Sequence, residues 1–183
     1  MPQPKIVVFA GSSRRDSFNK KLAALAAQEL EALGAEVIPI DLKDYQAPVY
    51  DGDTEEQQGI PPSMTRLEAL IAGADAVVIA SPEYNGFVPP LLVNVFSWVS
   101  RGKAGAFAGK NVAIMATSPG GFGGVRMIPR LRDALAELGS RVVPGFVTIP
   151  SAMGAFNPDG SFVHEAHKKA VAAHMSKLLA LLR

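Results

Sequence analysis

Short runs of apolar, largely β-branched residues alternate along the chain with longer segments whose apolar positions recur on a period near 3.6. The runs are KIVVFA at 5–10, EVIPI at 36–40, DAVVIA at 75–80, NVAIMA at 111–116 and VVPGFVTI at 142–149. Each is short, continuous and rich in Val and Ile, which predicts five buried strands. The segments at 18–33, 63–72, 90–101, 124–138 and 163–182 carry the longer period and predict five helices. The resulting order is strand, helix, five times over.

Strands that are apolar throughout and separated by helices require a mostly parallel sheet covered on both faces, joined by right-handed crossovers. The expected fold is therefore α/β: a flavodoxin-like three-layer sandwich with a five-stranded parallel sheet of order 2-1-3-4-5 and helices on both faces. The segment 43–62, with Pro48, Gly52, Gly59, Pro61 and Pro62, reads as one long loop, and the chain from 1 to 183 reads as a single domain.

Composition narrows the function classes. Eighteen Lys and Arg against seventeen Asp and Glu leave a net charge of +1, which gives no bulk electrostatic case for nucleic acid or an anionic membrane surface. The absence of cysteine removes disulfide frameworks, thiolate metal sites and thiol redox catalysis, so redox chemistry calls for an organic cofactor. No segment has eighteen uninterrupted apolar residues and the N-terminus lacks the form of a signal peptide. The expectation is a cytoplasmic protein whose partners are small molecules.

In a sheet of this order the loops after strands 1, 3 and 4 leave from carboxyl ends that meet at the topological switch point. All three are polar or glycine-rich: GSSRRDSFN at 11–19, SPEYNG at 81–86 and SPGGFGG at 118–124. The first lacks both GxxxxGK[ST] and GxGxxG. It offers neutral donors at Ser12, Ser13, Ser17 and Asn19, a guanidinium at Arg14 or Arg15, and a helix N-terminus near Phe18, which together suit a phosphate monoester. The competing reading is a plain turn with Asp16 or Ser17 as N-cap. In the second loop Pro82 enforces extended backbone and Asn85-Gly86 accommodates positive φ, which brings amides near a flat heterocycle or else closes a hairpin turn. The glycines around Phe122 in the third allow backbone to lie flat on a planar ligand, or form a flexible connection.

These residues resemble the NADPH-dependent FMN reductases of flavodoxin-like fold, which include quinone, chromate and azo-dye reductases. The resemblance spans nearly the whole chain. Its carriers are a GSxRxxSxN loop, matched by Gly11, Ser12, Arg14, Ser17 and Asn19, and an unchanged PEYNG from Pro82 to Gly86. It implies that Ser12, Arg14, Ser17, Phe18 and Asn19 hold the FMN phosphate end. It also implies that Pro82, Glu83, Tyr84, Asn85 and Gly86 line the isoalloxazine, with Ser118, Gly120 and Gly121 closing its other edge. NADPH is implied as co-substrate, with Arg15, Arg101, Lys103 and Arg126 the basic residues available for its additional phosphate. Where relatives read LKNAxDW after PEYNG, this chain reads LVNVFSW, with Val93 and Ser97 in place of a lysine and an aspartate.

A bound flavin supplies the hydride chemistry, so no catalytic side chain is assigned. His164, His167 and His174 fall in the last helical segment; the HEAH stretch has metal-like spacing, but it is read as a solvated helix face and no metal is expected. The helix at 88–100 is apolar almost all round, which predicts a partner chain and hence a homodimer or homotetramer. The most economical function is an FMN-dependent NAD(P)H oxidoreductase that passes electrons to a small-molecule acceptor (quinone, chromate, azo compound or flavin) by a ping-pong scheme. The alternatives are a flavodoxin-type electron carrier, which is usually acidic with a TxTGNT-like loop, and a non-catalytic nucleotide-binding regulatory module.

Overall fold

In the computed structural model, which describes residues 3–182, fourteen short and long elements follow one another. Strands β1 (Lys5–Ala10), β2 (Glu36–Ile40), β3 (Ala76–Ser81), β4 (Asn111–Thr117), β5 (Arg141–Val142) and β6 (Val147–Ile149) form one parallel sheet. Its order is β2-β1-β3-β4-β5, with β6 also paired to β4. The helices are α1 (Phe18–Ala32), α2 (Gly52–Gln58), α3 (Pro62–Ala72), α4 (Pro90–Val99), α5 (Met127–Glu137), α6 (Ala152–Ala155) and α7 (Glu165–Ala180), with a 3-10 turn at Leu42–Asp44.

The central strands β1, β3 and β4 are apolar almost throughout because they are buried on both faces, whereas the flanking β2 and β5 have no fully buried residue. In β1, Ile6, Val8 and Ala10 pack with α1 and α7, while Val7 and Phe9 point the other way toward α3, α4 and α5. Helix α1 presents Leu22, Ala23, Ala26, Ala27 and Leu30 to the first core, a stripe at helical spacing. The second core holds Trp98 and Phe9, both essentially inaccessible to solvent. Removing one such large side chain from water contributes about 1.5–3 kcal/mol before cavity effects.

Two expectations change. The fifth strand is split: Arg141–Val142 pairs with Asn111–Val112 and Val147–Ile149 pairs with Met115–Thr117, on the same flank of β4. Between them Pro144, which has no N–H, and Gly145, at φ 89°, take the chain away from the ladder. The stretch 43–62 is also more ordered than a loop. Asp51 caps α2 by accepting from the Thr54 N–H at 2.9 Å, Asp53 and Glu55 lie in its first turn, and Gly59 ends it at φ 74°.

Helix α2 buries no residue, so tethers at its N-terminal side hold it. Pro48 O accepts from Trp98 Nε1 at 2.8 Å and Asn94 Nδ2 at 2.9 Å, and Asn94 Oδ1 accepts from Tyr50 N at 2.7 Å. The Tyr50 ring meets Trp98 edge-on at 5.0 Å. Helix α4 is thus not apolar all round: the chain's own strap at 48–50 covers the side bearing Asn94 and Trp98.

The last helix also departs from expectation, because its histidines do not share one solvated face. His164 is exposed, His167 is half-buried, and His174 is 4% exposed with Nε2 buried and unpartnered. Burial holds the His174 imidazole below its ordinary value, Lys177 adds to this, and the Ile114 backbone offsets part of it. The unfolded chain takes up this proton near pH 6.5 and the folded chain only at lower pH. The unfolded state therefore binds more protons in that interval, and stability falls as the solution is acidified through it. His174→Leu is expected to gain stability over the parent chain progressively from about pH 7.5 to about pH 5.5, read as the difference in urea midpoints at matched m-value. A midpoint difference that does not vary with pH would refute the assignment.

Candidate functional site

Adjacent strands β1, β3 and β4 bring the loops 11–17, 82–89 and 118–126 to one edge of the sheet. Three cross-braces join them. The first is at Asn19, whose Nδ2 donates to Thr117 O at 3.0 Å and whose Oδ1 accepts from Thr117 N at 3.1 Å, both buried. The start of α1 is thereby fixed to the end of β4, ninety-eight residues away in sequence. The second is at Gly11, whose N–H donates to Ala80 O at 2.9 Å. A Cβ there would lie 2.7 Å from Leu92 Cδ1, so glycine lets α4 close on the first loop.

The third brace is Glu83. Its carboxylate, almost wholly buried, accepts from Arg126 N at 3.0 Å, Met127 N at 3.3 Å and Arg126 Nε at 2.8 Å. An anion on the free N–H groups and positive dipole end of α5 locks the second loop to the third. Sequence reasoning had Glu83 lining the ligand. Its backbone remains at the site, but its side chain serves the helix. Arg126, offered for the NADPH phosphate, is held by the same pair, and Arg101 lies over the Tyr50 ring at 5.0 Å.

In the second loop Asn85 and Gly86 take φ of 52° and 75°, and Tyr84 and Phe87 exchange both backbone hydrogen bonds, at 3.1 and 2.9 Å. This is a two-residue hairpin turn of primed geometry, the competing reading of that dipeptide, and Pro90 then opens α4. Tyr84 and Asn85 are exposed at its tip, while Pro82 and Gly86 are half-buried.

Other predicted residues keep groups free for a ligand. Ser17 is the N-cap of α1 and its hydroxyl makes no capping bond, although the residue is 5% exposed. Ser12 is equally buried and accepts only a 3.3 Å bond from Arg14 N. Arg14 and Arg15 are exposed, and neither is ion-paired among the described residues. Phe18 instead stacks on Phe156, centroids 6.0 Å apart.

The glycines of the third loop divide into two kinds. Gly123 and Gly124 sit at φ 59° and 87°, and a Cβ on either would fall 2.9 Å from Ile149–Pro150 backbone or Ala116 Cβ. Packing of the chain alone explains them. Gly120 and Gly121 have no such φ, and an added Cβ would meet nothing nearer than Ser118 Oγ at 3.9 Å. Their surfaces are open, with Ser118 half-buried beside them. Hydroxyl, guanidinium and helix N–H donors at one end and bare backbone at the other fit a phosphate joined to a flat ring, as in FMN.

The fold and this crevice define an α/β protein of the flavodoxin-like class with a phosphate-and-ring site at its switch point. The model of the NADPH-dependent FMN reductases matches residues 4–154. The chain belongs to that family; it is an oxidoreductase with FMN as cofactor and NADPH as co-substrate. It is 37% identical over 145 residues to a quinone reductase of Escherichia coli, covering 76% of this chain and 73% of that one. A 2-hydroxy-1,4-benzoquinone reductase of a Burkholderia species is 32% identical over 183 residues, covering 98% and 96%. Among solved structures, the flavoenzyme NAD(P)H:(acceptor) oxidoreductase FerB of Paracoccus denitrificans superposes with a TM-score of 0.82 at 27% identity, over 98% and 97% of the two chains.

Proposed function

We propose that the protein is a cytoplasmic NAD(P)H:quinone oxidoreductase, open also to chromate, azo and free-flavin acceptors. The observation that carries this is the pair of buried, uncommitted serine hydroxyls, Ser12 and Ser17, at the N-terminus of a helix whose surroundings are otherwise fully braced. The names of the Escherichia coli and Burkholderia relatives support a quinone as acceptor. Bound FMN supplies the hydride-transfer chemistry.

The chain's own residues bind and orient. Ser12, Ser17, the Arg14 guanidinium and the first N–H groups of α1 hold the phosphate, and Asn19 positions that helix end through Thr117. Backbone from Pro82 to Gly86 lines one edge of the ring, and Ser118, Gly120 and Gly121 lie flat along the other. With these loops enclosing one face, nicotinamide and acceptor share the remaining face and take turns at it.

We also infer a homodimer that pairs again in a tetramer. Between α4 and α5 runs a groove of about 360 Å³, lined by Phe87, Val93, Phe96, Ala134 and Leu138, with Arg130 and Glu137 on its rim. Arg101 lines it as well, and an apolar floor carrying both cations and an anion can pair with its own copy about a two-fold axis. Val93 and Ser97, which replace the relatives' charged pair, both line it. Ser97 Oγ turns inward to Val93 O at 2.9 Å, so no buried charge opposes closure.

Three measurements test these statements. Arg14→Ala is expected to weaken FMN about ten- to a hundredfold, the loss of one charge-assisted contact, while riboflavin affinity stays unchanged; equal weakening of both ligands would reassign Arg14 to loop structure. Double-reciprocal plots of NADPH against a benzoquinone are expected to be parallel, whereas intersecting lines would contradict alternation at one face. Light scattering at low micromolar concentration should give the dimer mass or its double, and a monomer would refute the groove as an interface.

A further inference from the structure

Phe122, in the middle of the third loop, is 69% exposed, more than any other aromatic ring among the described residues. A single exposed apolar side chain is ordinary on a protein surface. What sets this one apart is how firmly its surroundings hold it. The Arg126 guanidinium lies over the ring, its carbon 5.8 Å from the centroid and within cation–π range. That guanidinium is itself fixed, since Nε donates to Glu83 Oε1 at 2.8 Å and Nη2 pairs with the same oxygen at 2.5 Å. The backbone around the ring is pinned as well. Phe122 O accepts from Val125 N at 3.0 Å, and Gly120 O accepts from Ser151 N at 3.1 Å. Gly123 follows at φ 59°, where a Cβ would fall 2.9 Å from the Ile149 and Pro150 backbone, so the residue after Phe122 is seated against the end of β6.

A second exposed ring at these loops is held in the same manner but has another account. Phe87, 53% exposed, carries the Arg130 guanidinium at 5.8 Å, and it lines the groove between α4 and α5 assigned above to the partner chain. Phe122 does not line that groove. It follows directly on Gly120 and Gly121, whose open surfaces are assigned to the far edge of the flavin ring. Consecutive Cα atoms are about 3.8 Å apart, so the Phe122 side chain starts at the border of that site.

The chemistry of the acceptor says what such a ring serves. NADPH brings phosphates that charge-assisted hydrogen bonds can hold, whereas a quinone brings only a flat ring and its carbonyls. Contact with the ring must therefore supply most of a quinone's affinity. The face of a phenyl ring is negative and complements the electron-poor ring of a quinone stacked on it. We propose that Phe122, held by Arg126 and through it by Glu83, stacks on the quinone ring at the mouth of the flavin site and so selects flat aromatic acceptors. This rests on the reading of the protein as a quinone oxidoreductase.

The competing reading is that a second copy of the chain covers Phe122. The test is a calorimetric titration of the oxidised, FMN-loaded protein with 1,4-naphthoquinone, in which both partners are oxidised and no turnover intervenes. Phe122→Ala and Phe122→Leu are each expected to weaken binding about tenfold, and Phe122→Trp to keep the parent affinity, because leucine retains apolar surface but offers no ring. FMN affinity and the mass by light scattering should be the same in all three variants as in the parent. In steady state, Phe122→Ala should raise the KM for naphthoquinone with kcat and the KM for NADPH unchanged. Parent affinity in Phe122→Ala or Phe122→Leu, or no binding by the parent, overturns the proposal. A lower mass in Phe122→Ala also overturns it and assigns the ring to the subunit interface. Turnover of naphthoquinone by the FMN-loaded parent reads the underlying function separately: turnover insensitive to Phe122 removes only this residue's part, while no turnover removes the quinone reading and the proposal with it.

Discussion

The two buried hydrogen bonds between the Asn19 side chain and the Thr117 backbone set the geometry of the site. A parallel sheet brings strand ends together but leaves their loops to wander, since each loop belongs to a different crossover. Asn19 removes that freedom by using a side-chain amide as though it were a neighbouring strand, one donor and one acceptor against one residue of β4. Both partners are buried, so loss of either leaves the other unsatisfied, at about 1–3 kcal/mol. Glu83 at the head of α5 and Gly11 under Leu92 complete a closed frame.

A division of labour follows from that frame. Side chains committed to bracing, namely Asn19 and Glu83, interleave in the sequence with groups left open, namely the Ser12 and Ser17 hydroxyls and the bare surfaces of Gly120 and Gly121. Because the braces hold the second set in place before any ligand arrives, binding orders little of the protein and loses little affinity to conformational entropy. The third loop shows the same split within four glycines, two required by the chain's own packing and two whose surfaces lie open.

Most of the architecture was legible because buried parallel strands declare themselves by unbroken apolar runs, and the order 2-1-3-4-5 follows once five of them alternate with helices. The split of the fifth strand was written in Pro144-Gly145, and α2 in an aspartate at its cap, acids in its first turn and a closing Gly59. Both signals were outweighed, one by the flanking valines and isoleucine, the other by the density of proline and glycine around it. The roles of Asn19 and Glu83 were not legible at all. A motif names which residues gather at a site, but not which of them face the ligand and which face each other, because that depends on partners about a hundred and about forty positions away. His174 shows the same limit: a period that is right for a helix does not say which side is dry.

The two flanks of the sheet end on residues that cannot extend it. Strand β2 carries Pro39 in its middle, and on the opposite flank the ladder breaks at Pro144-Gly145 between two pieces of two and three residues. Neither flank offers a second chain an unbroken row of backbone donors, which is the template that strand-to-strand aggregation needs. A sheet whose long central strands β1, β3 and β4 are almost wholly apolar would otherwise be a ready seed for fibrils. These interruptions deny strand-to-strand polymerisation a starting edge at either flank.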